Sequence, residues 1–280
     1  MKTIRLFVLA LLLPAFVMVG CDKGDETPKD PESSTPGVPE AGSGIVSKIE
    51  LTDRYGDVMQ GVNFTYDSYN RLIRVEFYGE TTESVYLSYE TGSQTAGEGA
   101  PYTIIRKYVS EYGEETTTFT VGNSGYVESG EYSDRYTDRY YYYTYNDSGY
   151  LTNSSTTDYY NNTYTWIGGN LTRISKTDLD YPDEELVYDF EYAEVANNPL
   201  CNLDLNKIAL LEEDSVLELA GLCGKRSANR VAKLIRTCNE DPDGDYELSF
   251  AYETDPKGFV TKITVNYNGV EAGNYLVFYN

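Results

Sequence analysis

The segment Asn70-Arg71-Leu72-Ile73-Arg74-Val75 is the most informative about the fold, because its pattern recurs along the chain. The pattern is Gly or Asn, any residue, an aliphatic residue, any residue, Lys or Arg, and a second aliphatic residue. Further copies begin at Gly44, Gly169, Asn229 and Gly258, and looser copies begin at Gly125 and Gly149. A repeat of this kind indicates one structural unit that the chain uses several times.

An aromatic segment stands before most copies. These segments are Phe64-Thr65-Tyr66, Phe119-Thr120-Val121, Tyr143-Thr144-Tyr145, Tyr164-Thr165-Trp166 and Phe250-Ala251-Tyr252. Aromatic and β-branched residues suit a strand, and the Gly or Asn supplies a positive φ at the turn, so each unit is predicted to be a β-hairpin. Hairpins in series predict an all-β antiparallel meander of about a dozen strands, curled or barrel-like.

One segment departs from the strand pattern. Ser215-Val216-Leu217-Glu218 has the spacing of a capping box, and apolar residues follow at helical intervals as far as the glycines at 221 and 224. We therefore expect a short helix near residues 215–223. A helix between hairpins is expected to plug one end of the sheet or to cover a sheet edge.

The N-terminus predicts export and a lipid anchor. Lys2 and Arg5 precede an apolar run from Leu6 to Val19, and Met18-Val19-Gly20-Cys21 follows the pattern of a lipoprotein cleavage site. Residues 1–20 are thus predicted to be a signal peptide, and Cys21 is predicted to be the first mature residue. Its acyl chains would make the membrane a partner of the protein.

Residues 21–44 are predicted to be the lipidated cysteine and a flexible tether, since Pro, Gly, Ser and Thr dominate and few apolar residues occur. No second linker divides residues 45–280, which are predicted to be a single domain. Asp22, Asp25 and Glu26 resemble the signals of lipoproteins that reach the bacterial cell surface. We expect an outer-membrane lipoprotein that is exposed on the cell surface, with a periplasm-facing protein as the alternative.

Composition limits the chemistry of the domain. The formal net charge of −23 disfavours nucleic acid as a partner. The absence of histidine excludes Ser-His-Asp and Cys-His catalysis and any His-ligated zinc. We expect a protein without enzymatic activity and without a cofactor. The alternative is a glycoside hydrolase that works with two carboxylates.

Two minor patterns leave alternatives open. Asp241, Asp243 and Asp245 stand at alternate positions around a glycine, which is a weak signal for a Ca²⁺ loop and is typical of an ordinary hairpin turn. Besides Cys21 the chain has three cysteines. A single disulfide would leave one of them over, and the pair Cys201 and Cys223 is our choice for it.

Tyrosine is unusually frequent, with 29 Tyr against 9 Phe and 1 Trp. It is densest from residue 132 to residue 150. A glycan platform is one interpretation, because tyrosine offers an apolar ring face and a hydroxyl. The candidate binding residues are Tyr140, Tyr141, Tyr142, Tyr143, Trp166, Arg135 and Arg139. The other interpretation is structural: tyrosine as the preferred strand residue, stabilising the sheet by cross-strand pairs.

The hairpins from Phe64 to Val75 and from Tyr143 to Gly149 resemble the tyrosine-aspartate repeats of large bacterial shell and adhesin-like proteins. Together with the lipoprotein start, Asn198-Pro199-Leu200 and Leu203-Asp204, they resemble an uncharacterised Bacteroidetes lipoprotein family described as having a porin-like β fold. The resemblance implies a curled or barrel-like sheet over residues 45–280 and supplies no catalytic residues. Basic residues on the predicted strands argue against a barrel that spans the membrane.

Two functional classes follow from these expectations. The first is a lipid-anchored envelope protein that captures glycans or mediates adhesion. The second is a structural or assembly partner of another envelope protein, paired through the edge of the terminal strand Tyr275-Leu276-Val277-Phe278-Tyr279. A lipid carrier with an apolar lumen is a third class, which the polar alternation of the strands disfavours.

Overall fold

The computed structural model describes residues 44–79, 82–90, 101–210 and 215–280. The predicted signal peptide, Cys21 and the tether as far as residue 43 lie outside the described residues. The described residues form sixteen strands in one closed antiparallel barrel. The strands are β1 (Val46–Asp53), β2 (Val58–Tyr66), β3 (Leu72–Tyr78), β4 (Glu83–Glu90), β5 (Tyr102–Ser110), β6 (Gly113–Val121), β7 (Val127–Ser133), β8 (Asp138–Tyr145), β9 (Leu151–Thr156), β10 (Tyr160–Ile167), β11 (Asn170–Asp178), β12 (Glu185–Ala196), β13 (Asn229–Cys238), β14 (Tyr246–Thr254), β15 (Val260–Tyr267) and β16 (Val270–Tyr279).

The barrel closes where its first and last strands meet. Leu51 on β1 lies opposite Gln60 on one side and opposite Tyr275 of β16 on the other. The prediction of an all-β, barrel-like meander is thus confirmed, with sixteen strands instead of about a dozen. The predicted edge pairing through Tyr275–Tyr279 is wrong, because β16 is bonded on both sides and offers no edge.

The two faces of the wall differ in polarity. Along β6, Thr117, Phe119 and Val121 are buried inside, whereas the alternating residues Thr118 and Thr120 are exposed. The outer face also carries ion pairs. Among them are Lys48 with Glu50, Arg74 with Glu76, Arg173 with Asp189, Lys233 with Glu247 and Lys262 with Glu253. The outer wall thus carries paired charges, whereas the fully buried apolar residues line the interior.

Arg106 is one of the basic strand residues that face the interior. It is 5% exposed, and its guanidinium lies 5.5 Å from the centre of the Phe119 ring. Among the helices of the described residues, none has the length and apolar character that crossing a membrane requires.

A segment between β12 and β13 closes one end of the barrel. We call residues 197–210 and 215–228 the plug; it contains a 3₁₀ helix, Leu205–Leu210, and the helix α1, Val216–Leu219. Three backbone hydrogen bonds attach the plug to the hairpin turns. They are Val127 N to Leu222 O, Lys225 N to Gly149 O, and Ala228 N to Gly169 O, at 2.9 to 3.0 Å.

The helix is shorter than the predicted 215–223. Ser215 has a helical backbone conformation and makes no capping hydrogen bond with its side chain, so the predicted capping box does not form. Glu218, its expected partner, instead lies 2.6 Å from Lys207 Nζ. Val216, Leu217 and the rest of the apolar face are buried, which places this segment at the end of the core as a plug.

Several turns at the plug end share one pattern of side-chain to backbone hydrogen bonds. In the β2–β3 turn, Asp67 Oδ1 accepts hydrogen bonds from the backbone N–H groups of Tyr69 and Arg71, at 2.9 Å each. Asn70 then takes a φ of 60°, where the repeat places Gly or Asn. Asn146 and Asp255 accept the same pair of bonds in their turns.

Aromatic donors join neighbouring strands at the plug end. The last aromatic residue of a strand donates a hydrogen bond of 2.6 to 2.9 Å to the carbonyl of the first aliphatic residue of the preceding strand. We call these bonds aromatic locks. The pairs in the described strands are Tyr66 to Val46, Tyr89 to Leu72, Tyr145 to Val127, Trp166 to Leu151, Tyr192 to Leu171, Tyr252 to Val231 and Tyr279 to Val260.

The locks explain the sequence repeat. Each acceptor is the first aliphatic residue of a repeat copy, so the repeat and the aromatic segments belong to one hydrogen-bonded unit. The pair β5–β6 is different, since Val121 stands where an aromatic donor stands in other strands. The hydroxyl of Tyr102, at the start of β5, is buried without a hydrogen-bond partner.

The three cysteines of the described residues are buried and form no disulfide. The predicted Cys201–Cys223 bridge is therefore wrong. The reason is their position in the plug: Cys201 lies beside Tyr279 of β16, whereas Cys223 faces a cavity that Tyr164 of β10 also lines. Cys238 is far from both, at the opposite end of the barrel beside Asp245.

Candidate functional site

The end of the barrel opposite the plug is a candidate binding surface, which we call the rim. It consists of the turns that join odd-numbered strands to the following even-numbered strands. Five of these turns each carry a strongly exposed tyrosine. They are Tyr55, Tyr112, Tyr136, Tyr159 and Tyr181, with exposed fractions from 50% to 82%.

The backbone of the rim tyrosines is held in place by the residues that end the strands. Asp53 Oδ1 accepts a hydrogen bond from Tyr55 N at 2.8 Å, and Asp134 Oδ1 accepts one from Tyr136 N at 2.7 Å. Ser110 Oγ does the same for Tyr112 N at 3.2 Å. Such side-chain turns order the backbone and direct the tyrosine ring away from the strand into solvent.

Arginines support three of these rings. The guanidinium of Arg54 lies 4.8 Å from the centre of the Tyr55 ring. The guanidinium of Arg135 lies 4.3 Å from the centre of the Tyr136 ring, and that of Arg139 lies 4.6 Å from the centre of the Tyr159 ring. Arg139 also donates to Asp158 Oδ1 at 2.9 Å. Burial lowers the pKa of Arg139, but its hydrogen bonds and attraction to Asp158 and Tyr141 together outweigh burial, and the net pKa is raised.

A further tyrosine completes the polar network below the rim. The Tyr132 hydroxyl donates to Asp134 Oδ2 at 2.9 Å. Burial and this hydrogen bond raise its pKa to about 12, so the hydroxyl stays protonated at neutral pH. Asp134 therefore orients both Tyr132 and the backbone of Tyr136.

The predicted platform is divided between two faces. Tyr140 and Tyr142 lie on the outer wall, at 39% and 49% exposure. Tyr141 is buried against Phe119, with 5.6 Å between ring centres, and Tyr143 also faces inward. Alternate residues of β8 point to opposite sides, so these four tyrosines do not form one coplanar surface. Ligand binding by Tyr140 and Tyr142 stays a prediction.

The other predicted residues are also separated. Trp166 lies at the plug end, where its Nε1 donates to Leu151 O at 2.6 Å and its ring stacks on Tyr150. Its hydrogen bond is one of the aromatic locks. Arg135 and Arg139 belong to the rim, as described above, and lie at the far end of β8 from Tyr143.

The predicted calcium loop has other roles in the parts that the structure describes. Asp245 Oδ1 accepts from Cys238 N at 2.8 Å, and Asp241 is exposed at the start of a short 3₁₀ helix, Pro242–Gly244. The side chain of Asp243 lies outside the described part. Within the described residues, no group of three or more acidic, cysteine or histidine side chains is placed to hold a metal ion.

Most of the rim was not predicted from the sequence. The rim tyrosines at 55, 112 and 181 are isolated in sequence, and Tyr159 lies beyond the dense segment from residue 132 to residue 150. A signal was nevertheless present: Asp53-Arg54-Tyr55, Ser110-Glu111-Tyr112 and Asp134-Arg135-Tyr136 share the pattern Asp or Ser, any residue, Tyr. The hydrogen bond from the third residue to the first explains that spacing.

Comparisons with known proteins agree with this architecture. The model of a family described as a domain of unknown function (DUF4595) with porin-like fold matches residues 102–262. A crystal structure of a porin-like protein from Bacteroides uniformis is similar, with a TM-score of 0.56 and 17% identity, over 84% of this chain and 98% of that chain. A porin-like protein from Bacteroides vulgatus has a TM-score of 0.58 at the same identity and coverage. At this identity the likeness concerns the fold alone. No curated protein matches the sequence.

Proposed function

This chain belongs to the family of domains of unknown function (DUF4595) with a porin-like fold, and from that premise we propose that it is a lipid-anchored envelope protein that binds glycans at its rim. The proposed role is binding without catalysis. The observation that supports it is the set of exposed tyrosines on the rim turns.

The rim tyrosines suit an extended glycan. Four of them, Tyr112, Tyr136, Tyr159 and Tyr181, lie on consecutive rim turns. Neighbouring strands are about 4.8 Å apart, so consecutive turns are spaced by about 10 Å, comparable to the length of a disaccharide. Exposed rings at this interval offer stacking surfaces to successive sugar units. Because their turns are already ordered, little entropy is lost on binding.

Charge favours neutral glycans over acidic polymers. The net charge is −23, and the rim arginine Arg139 is already paired with Asp158. A polyanion would meet repulsion from the whole molecule. A neutral chain meets only ring faces and hydrogen-bonding groups.

The position of the predicted anchor supports this arrangement. The described chain enters β1 at the plug end, where Asn202 N donates to Gly44 O at 3.2 Å. A tether from Cys21 would hold the plug end toward the membrane and turn the rim away from it. Replacing the lipidation site, Cys21→Ser, should release the protein from the membrane fraction. Protease accessibility on intact cells would then distinguish surface exposure from a periplasm-facing position.

Glycan binding is tested with an array of neutral and acidic oligosaccharides of graded length, in Ca²⁺ and in chelator. We expect neutral glycans to bind, with affinity increasing with chain length. The double variant Tyr136→Ala/Tyr159→Ala should lose about tenfold in affinity, or about 1.4 kcal/mol. Mass spectrometry of the bound glycan should show it intact, whereas cleavage would support the hydrolase alternative.

Tyr69→Ala is the matched control. Tyr69 is 54% exposed, its backbone N–H is bonded to Asp67 as in the rim turns, and it lies beside Arg71, but it belongs to the plug end. Its removal should leave glycan affinity unchanged. A blank array, or equal losses in the rim variant and in Tyr69→Ala, would contradict the proposal and direct the search to protein partners.

A further inference from the structure

A cavity of about 100 Å³ lies inside the barrel, between the inner faces of β8 to β12 and the plug. By this measure a single water needs about 10–15 Å³, so the cavity has room for several waters or for one small polar molecule. Tyr160 and Lys176, which are only partly buried, line it near the rim, and Glu218 of α1 lines it at the plug. It is therefore separate from the exposed rim tyrosines.

The cavity wall is a connected set of polar groups. Asn162 Nδ2 donates to Ser154 Oγ at 3.2 Å, and Ser154 Oγ shares a hydrogen bond of 3.0 Å with the Tyr164 hydroxyl. Tyr164 in turn lies 3.5 Å from Glu218 Oε1. These contacts hold Asn162 and Tyr164 in fixed orientations along one side of the cavity.

One polar atom of that wall has no partner. Asn162 Oδ1 is buried and accepts no hydrogen bond, although the other end of the same amide is bonded to Ser154. Buried polar atoms in folded proteins are nearly always satisfied. Because Asn162 lines the cavity, a hydroxyl group of a ligand there could donate to Oδ1.

The charges at the two ends of the cavity are unequal. At the plug, the carboxylate of Glu218 is compensated by Lys207, 2.6 Å away. Burial, followed by the nearby Glu218, raises the pKa of Tyr164 well above 10, so this wall residue stays neutral. Near the rim, the Nζ of Lys176 lies 5.1 Å from the centre of the Tyr160 ring, and no carboxylate of the described residues lies within 4 Å of it. Among the described residues that line the cavity, Lys176 therefore carries the one charge without an opposite charge within 4 Å.

We propose that this cavity binds a small monocarboxylate that carries hydroxyl groups, such as a uronic acid. Its carboxylate pairs with Lys176 Nζ, and one hydroxyl donates to Asn162 Oδ1. The rings of Tyr143 and Tyr160 border the same space and can cover the apolar face of a sugar ring. This site does not depend on glycan binding at the rim, where the charge disfavours acidic ligands.

The test compares two ligands that differ by one carboxylate. Calorimetric titration of the protein with D-glucuronate and with D-glucose should show glucuronate binding at least tenfold more tightly, with a preference that decreases as salt is added. Lys176→Met should remove the preference, and Asn162→Ala should weaken both ligands about tenfold. Equal affinities for the two sugars in the unaltered protein, or no binding of either, would overturn the proposal.

Matched controls come from the outer face of the barrel and from the rim. One control is Asn161→Ala, because Asn161 lies next to Asn162 in sequence but on the exposed side of β10. The other is Lys233→Met, because Lys233 is an outer lysine that is paired with Glu247. Both should bind glucuronate as the unaltered protein does, and so should Tyr136→Ala. If Asn162→Ala fails to fold, Lys176→Met still decides the question, because Lys176 is partly exposed. Unchanged glucuronate affinity in Lys176→Met would exclude the site.

Discussion

The tyrosines at the two ends of the barrel have different roles although they belong to the same kind of hairpin. At the plug end, Tyr252 and its equivalents place their hydroxyls on backbone carbonyls and are largely buried. At the rim, Tyr136 and its equivalents have their backbone bonded and their rings in solvent. One residue type thus stabilises the fold at one end and forms the candidate binding surface at the other. The difference lies in which group is bonded, the hydroxyl or the backbone N–H.

Alkaline pH should produce the largest effect, because it acts on many locks together. Burial raises the pKa of Tyr192 from 10.0 to about 12, and burial raises the pKa values of Tyr66, Tyr89, Tyr252 and Tyr279 further. A raised pKa stabilises the folded state fully below pH 10, and that stability is lost as pH increases from 10 through 12. Unfolding followed by circular dichroism should coincide with tyrosine ionisation followed by absorbance. Ionisation of the locks in a barrel that stays folded would contradict this account.

Breaking the ion pair between Lys207 and Glu218 in the plug should have the next largest effect on stability. Burial lowers the pKa of Lys207, but Glu218 and Asp204 outweigh it and the net pKa is raised. Lys207→Met would leave Asp204, which is 5% exposed, and Glu218 without this cation. We expect a loss of about 3–5 kcal/mol in the free energy of unfolding by urea. Lys233→Met, on the outer wall, should lower the free energy of unfolding by about 0–1 kcal/mol. Equal losses in the two variants would show that the ion pair in the plug stabilises the fold no more than a surface pair does.

Removing a single hydroxyl should show most directly how the tyrosines at the two ends differ in their contribution to stability. Tyr252→Phe keeps the ring but leaves the carbonyl of Val231 without its donor, which should cost about 1–3 kcal/mol. Tyr136→Phe removes a hydroxyl in solvent and should leave stability within about 0.5 kcal/mol. Urea unfolding of both variants measures the difference. Equal values would mean that the locks do not stabilise the barrel.

The smallest effect on stability is expected for complete removal of a rim ring. Tyr136→Ala should change the free energy of unfolding by less than about 0.5 kcal/mol, since the ring is 75% exposed. Thermal unfolding measures this change. A loss of more than about 2 kcal/mol would show that Tyr136 packs into the fold and would remove the contrast between the ends.

The hairpins were predictable because their signals are local. Asn70 and Gly258 stand where a positive φ is required, and the alternation along β6 assigns Phe119 and Val121 to one face. The plug was also foreseen from the apolar residues around Leu217. The length of its helix was not, because Glu218 pairs with Lys207 in the fold and does not cap the helix.

The candidate binding residues were harder to predict, since clustering in sequence differs from clustering in space. Tyr140 to Tyr143 are consecutive, yet two face outward and two face inward. Tyr112 and Tyr136 are far apart in the chain, yet they lie on consecutive turns of the rim. Only the order of the strands around the barrel brings the second pair together.

The hairpin unit, its turns and the alternation of its faces follow from the sequence alone, because these depend on backbone conformations and contacts within a few residues. The tertiary structure decided the closure of β1 against β16, the insertion of the plug and the choice of locked or exposed tyrosines. These features join residues that are distant in the chain. Tyr279, for example, donates to Val260 while its own strand pairs with Val46, so its role exists only once the barrel has closed.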